Sequence, residues 1–337
     1  MEDAISPEAA VAAHPFTRLD PTTLIEAVEA RGLRCDGRLL ALNSYENRVW
    51  QVGLEDDAPV IVKFYRPGRW SDAAIEEEHA YTMELAAAGL PVVPPLAGPD
   101  GRTLYHHGPW RLAIYPRHGG RAPELDNPTH LRQLGRTLAR IHNIGATTPF
   151  RHRPLIDLER LGTRSRDYLL EHDWLPPELR GAYESLTADL LIAIGAAFAR
   201  AGDYTRLRLH GDCHPGNILW RDEAPSLVDF DDARTGPAIQ DLWMFLSGDR
   251  EYMSRRLGEL IEGYTLFRDF DPRELNLVEA LRTLRMMHHA AWLARRWDDP
   301  AFPRAFSDIT SPRYWDEHIL MLREQAAMLQ EPPLVLE

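Results

Sequence analysis

The 337-residue sequence is almost without lysine: Lys63 stands alone, so 37 of the 38 basic residues are arginine. A general preference for arginine explains the 37 but not the exception, because arginine fails as a substitute where a compact point charge is required. Cysteine is nearly as scarce. Cys35 and Cys213 cannot build a disulfide framework in a chain this long, and a reducing compartment is expected. Long hydrophobic runs are missing too; the longest apolar stretch, residues 190–199, is half of the ~20 residues that span a bilayer. The opening MEDAIS is acidic and lacks the positive region of a signal peptide. Positive charge is in deficit, 38 basic residues against 51 acidic, and a net charge of -13 opposes binding to nucleic acid or an anionic membrane. The expectation is a cytoplasmic protein with no nucleic-acid partner and no membrane.

Several chemistries are excluded by missing motifs. There is no G-x-x-x-x-G-K-[ST], no G-x-G-x-x-G, no H-E-x-x-H, no paired C-x-x-C and no G-x-S-x-G. The Cys213-His214, His106-His107 and His288-His289 pairs lack distant partners at zinc-ligand spacing.

What is present is a globular composition, 44% hydrophobic and 26% charged, with room for about two domains. Residues 1–15 read as a flexible N-terminus. Asp20-Pro21-Thr22 opens a helix that Gly32 closes. Residues 48–52 and 59–65 read as strands, 103–105 and 110–115 as a hairpin, and 72–89 as a helix between them. Beyond residue 118 the pattern turns helical. Leu131, Leu134, Leu138 and Ile141 make one buried stripe, and further helices are expected near 155–170, 177–200, 252–267, 273–296 and 313–329. One β-rich interruption falls at 210–231. The fold class is therefore α+β with two lobes, 16–117 rich in β and 118–330 helical, joined by residues 116–120.

The chemistry concentrates in LHGDCHPGNILW at 209–220 and SLVDFDD at 226–232. Asp212 is a carboxylate able to orient or deprotonate a hydroxyl. Asn217, five residues on, offers a neutral oxygen to Mg²⁺, and Asp229 an anionic oxygen that bridges metal and nucleotide phosphates. Mg²⁺ takes oxygen ligands and keeps waters, so one Asp and one Asn suffice beside phosphates.

These runs resemble the catalytic and metal loops of the aminoglycoside phosphotransferase/choline kinase branch of the protein-kinase-like fold, H-G-D-x-x-x-x-N followed by an Asp. The strand VIVK at 60–63 resembles the one whose lysine holds the ATP phosphates and pairs with a helix glutamate. Glu78 is the best match to that partner, with Glu76 and Glu77 as neighbours. The helix containing 134–142 resembles the first of the C-lobe, and Asp241 the aspartate that braces the catalytic loop. NSYENRV at 43–49, VKFYRP at 62–67 and the full 209–220 run are similar to the stress response kinase A family, over roughly residues 16–325.

That resemblance implies an ATP- and Mg²⁺-dependent bacterial Ser/Thr protein kinase that autophosphorylates and acts on protein hydroxyls; a monomer is the separate expectation for its assembly. Asp212 would be the proton acceptor, Asn217 and Asp229 the Mg²⁺ ligands, Lys63 and Glu78 the phosphate-binding pair, and Ser44 an ATP contact where other kinases carry glycines. Three departures stand out: HGD replaces HRD, DFD replaces DFG, and no A-P-E follows. A small-molecule kinase for an aminoglycoside, choline or homoserine, or a nucleotide-binding pseudokinase, would share much of this pattern.

Overall fold

The computed structural model describes residues 15–336. The expected flexible segment 1–15 lies outside them except for Pro15, which opens a 3₁₀ turn, Pro15–Arg18. Helix α1, Pro21–Glu29, starts where Asp20 accepts a hydrogen bond from the Thr23 N–H at 2.7 Å, with proline in its first turn.

Five antiparallel strands follow in the order β1-β2-β3-β5-β4: β1 Cys35–Ala41, β2 Arg48–Leu54, β3 Val60–Phe64, β4 Tyr105–His107 and β5 Trp110–Pro116. β3 is central, and Lys63 on it is flanked by Val49 and Ala113. Val60, Val62 and Phe64 pack one face of the sheet against Leu24, Ala27 and Val28 of α1. The alternation of a strand then sends Lys63 to the opposite face. Strand β1 carries no period-two signal in the sequence because it is an edge strand, mostly half-buried or exposed and bulged between Cys35 and Leu39. Helix α2, Asp72–Ala87, is capped by Ser71 and buries Ile75, Glu78, Thr82 and Leu85, spaced by three and four.

Residues 116–120 lead into the helical remainder: α3 Pro128–Gly145, α4 Arg164–Glu171, α5 Pro177–Ala201, α6 Arg250–Tyr264, α7 Val278–Ala294, α8 Ala301–Ala305 and α9 Pro312–Met328. Two expected helices are subdivided. A π-helical turn, Glu159–Thr163, precedes α4, and a 3₁₀ turn, Pro272–Leu277, precedes α7. The β-rich interruption is two small ladders, β6 Leu207–Leu209 with β9 Arg234–Gly236 and β7 Ile218–Arg221 with β8 Ala224–Leu227. They hold residues 210–217 and 228–233 side by side.

Helix α5, expected near 177–200, runs 25 residues as Pro177–Ala201, and by length and composition it could cross a membrane. Its burial runs along a stripe, Tyr183, Thr187, Leu190, Ile194, Ala197 and Ala201, within the large hydrophobic core, while Ile192 on the opposite side is exposed.

Helices α3 and α6 cross backbone to backbone at two glycines. A Cβ on Gly135 would lie 2.0 Å from the Leu260 carbonyl oxygen, and one on Gly263 2.0 Å from that of Arg132. Gly135→Val should therefore cost about 3 kcal/mol in urea denaturation. Gly258→Ala, on the same α6 but in open space, should be neutral or stabilise by up to ~1 kcal/mol.

Candidate active site

The loop at 210–217 leaves β6 in a shape that only glycine allows at its second residue. Gly211 has φ +85°, and a Cβ there would sit 2.1 Å from the Asp232 carbonyl oxygen. This accounts physically for HGD in place of HRD. Asp241, fully buried, accepts hydrogen bonds from the N–H of His210 at 2.9 Å and of Gly211 at 2.8 Å. Its Oδ2 also meets His142 Nε2 at 3.2 Å, and the His142 ring is held in turn by the Tyr264 hydroxyl. Burial alone would raise the Asp241 carboxyl; His142 and the backbone donors reverse this and hold it below the usual carboxylate range. The expected brace is thus a charged anchor built from α3, α6 and the 3₁₀ turn Ala238–Asp241.

On this anchor stands Asp212. Its backbone oxygen accepts from Asn217 Nδ2 at 3.0 Å, which orients the amide so that Oδ1 remains available to a cation. Arg285 on α7 donates from Nη1 to Asp212 Oδ1 at 2.5 Å, and His214 Nε2 lies 3.6 Å from Oδ2. His210 Nε2 donates to the Val228 carbonyl at 2.9 Å, tying this loop to the one that carries Asp229. Asp229 is left-handed, φ +60° and ψ 64°, an unusual conformation for a side chain that is not glycine. Its half-exposed carboxylate meets Lys63 Nζ at 2.7 Å. Carboxylate and amide oxygens are hard donors, so Asn217 and Asp229 suit Mg²⁺.

Lys63 is buried, and its ion pairs are with Asp229 and, at 3.4 Å, with Asp231. Burial pushes its ammonium toward the neutral form, but the two aspartates more than offset that and raise its pKa well above the ordinary value. The expected Lys63–Glu78 ion pair is not formed. Asp231, the third residue of DFD, occupies that role, supported by Arg69 and by Asn47 Nδ2 at 3.0 Å. Glu78 is nevertheless the glutamate of the three that enters the site. Glu76 is exposed, and Glu77 accepts the N–H groups of residues 151–153 at 2.6–2.9 Å. Glu78 is 2% exposed and its Oε2 has no hydrogen-bond partner among the described residues. Burial pushes its carboxyl up to about 7 against the opposing pull of Lys63 and Arg153.

Ser44 lies in the turn between β1 and β2, where its hydroxyl donates to the Asn47 carbonyl at 3.2 Å. Sequence reasoning missed Asn47, Arg69, Asp231 and Arg285. The only signal for Asp231 was its departure from DFG.

Residues 38–278 match the phosphotransferase enzyme family. Stress response kinase A of Escherichia coli strain K12 is 44% identical over 324 residues, 96% of this chain and 98% of that protein. The chain belongs to the stress response kinase A family. Another family member, named serine/threonine protein kinase RdoA, from Salmonella typhimurium, is also 44% identical over 96% of this chain and 98% of its own length. Among solved structures, amicoumacin kinase hAmiN in complex with AMP-PNP, Ca²⁺ and Ami superimposes with a TM-score of 0.74 at 17% identity, covering 95% of this chain and 96% of that one. A microcompartment-associated aminopropanol kinase reaches 0.71 at 19% identity, covering 94% of this chain and 100% of its own. These structures share the α+β kinase-like fold expected from the sequence.

Glu78 yields a pH prediction. A carboxyl whose pKa rises from 4.5 to about 7 on folding binds more protons in the folded state, so its contribution to stability is full below pH 4.5 and is lost as pH rises through 7. Between those pH values the wild type should lose about 3 kcal/mol more stability than Glu78→Gln, measured by urea denaturation at each pH.

Proposed function

We propose that the protein is an ATP- and Mg²⁺-dependent serine/threonine protein kinase that also phosphorylates itself, acting as a cytoplasmic monomer. The observation that carries this reading is the convergence of the lone lysine with Asp229 and Asp231 beside the braced loop of Asp212 and Asn217. Lys63 supplies a compact charge to the nucleotide phosphates. Asp212 orients the acceptor hydroxyl and takes its proton as the new O–P bond forms and the bond to the β-phosphate oxygen breaks; the hydroxyl competes with Arg285 for the carboxylate oxygen. Asn217 and Asp229 hold Mg²⁺, which when bound neutralises charge on the transferred phosphoryl group. Ser44 and Glu78 complete the nucleotide side. The division into an N-lobe over 16–117 and a C-lobe over 118–330, meeting at 116–120, belongs to the same reading.

A protein acceptor is supported by the name of the relative from Salmonella typhimurium. The likeness of fold to amicoumacin and aminopropanol kinases supports a small-molecule acceptor as the rival. Incubation with radiolabelled ATP decides between them. Wild type should label itself and a generic protein acceptor above the background of Asp212→Ala, and Lys63→Arg should lose on the order of 100-fold in rate while keeping its fold by circular dichroism. Label appearing only on amino alcohols or aminoglycosides would transfer the reading to a small-molecule kinase. Mg-ATP binding with no turnover of any acceptor would make the protein an interaction module.

A further inference from the structure

The turn at residues 42–47 is the segment that the kinase reading sets over the nucleotide, and the following inference rests on that reading. The turn is anchored by residues some 250 positions away. Tyr45 packs edge-on against Phe306 with ring centroids 4.8 Å apart, and against Phe302 at 6.4 Å. The Glu46 carboxylate accepts from Trp292 Nε1 at 2.5 Å and pairs with Arg296 at 2.6 Å. Arg66 and Arg69 approach the same carboxylate from the sheet side, at 3.2 Å and 3.5 Å. Asp299, fully buried, takes Arg48 at 2.7 Å and Arg66 at 2.5 Å. Asn47, also buried, joins the turn to Asp231 and accepts from the Arg66 N–H at 3.0 Å.

Buried ion pairs repay their desolvation poorly, and apolar residues of similar volume would hold two surfaces together as well or better. What such a network supplies is direction, because each carboxylate accepts only from donors at set angles. Here it fixes the turn that the kinase reading sets over the nucleotide phosphates, where backbone N–H groups can receive an anion. The Ser44 side chain is outside the network: its hydroxyl donates within the turn, to the Asn47 carbonyl oxygen. The anchoring segment continues directly from α7, where Arg285 contacts Asp212.

We propose that Trp292, Arg296 and Asp299 are positioning residues that set nucleotide affinity by holding the 42–47 turn in its phosphate-binding shape. Trp292 and Arg296 contact Glu46 of the turn, and Asp299 acts on it through Arg66, which donates to the Tyr45 and Glu46 carbonyls, so all three should act on ATP binding rather than on phosphoryl transfer.

The test uses Trp292→Phe, which keeps an aromatic ring and removes the N–H, and Asp299→Asn, which keeps the shape and removes the charge. Exposed Arg313→Ala on α9 serves as control. Mg-ATP dissociation constants are measured by calorimetry without acceptor, alongside KM for ATP, kcat and Tm. The expected result is a rise in Kd and KM on the order of tenfold for both variants, with kcat within about twofold of wild type and no change in the control. A lowered Tm with unchanged Kd would overturn the proposal and leave these residues purely structural. A loss confined to kcat would overturn it too. Wild type that fails to bind Mg-ATP would overturn the kinase reading itself, and that outcome appears in the wild-type arm alone.

Discussion

A buried ammonium needs carboxylates, and in this chain they come from the other half of the sequence. Lys63 sits in the middle strand of the sheet, and its counter-charges, Asp229 and Asp231, lie between β8 and β9. The rest of the site follows from meeting that demand. Asp231 must itself be stabilised, which calls on Arg69 and Asn47; Arg153 donates to the Asp231 carbonyl and stacks over Trp70. Asp232 then pairs with Arg69 and Arg234. The sheet and the helical part are thus joined through a charged seam rather than a purely apolar one, and the seam passes through the residues proposed for chemistry.

That seam is also where the sequence was least legible. Lys63 stood out as the only lysine, and Asp212, Asn217 and Asp229 because they lie in short runs whose spacing has a chemical reason. Glu46, Asn47, Arg69, Asp231 and Asp299 are single polar residues in turns, with no periodicity of their own. Their partners are far off, 184 residues from Asn47 to Asp231 and 251 from Arg48 to Asp299, so their pairing exists only in the folded chain. Glu78 was matched to the lysine through the family resemblance of the VIVK strand, whereas Asp231, far off in sequence, carries no local signal that it takes that place.

The helices were legible where one face is apolar, as in α3, and less so where they begin in π or 3₁₀ turns. Strand β1 was invisible because an edge strand with little burial need not alternate. The glycine in HGD looked like a departure from a protein-kinase pattern. It follows from the close passage of the Asp232 carbonyl, which leaves no room at that position for a side chain of any kind.

Because Lys63 is the only lysine and is 5% exposed, the folded protein presents almost no side-chain amine to solvent. Acetylation, ubiquitin attachment through lysine and amine-directed crosslinking have one side-chain target, which is shielded by its own ion pairs. A lysine-specific protease would cut the unfolded chain once. Reactivity of this single amine therefore reports on one place in the molecule, and it rises only when the seam around it opens.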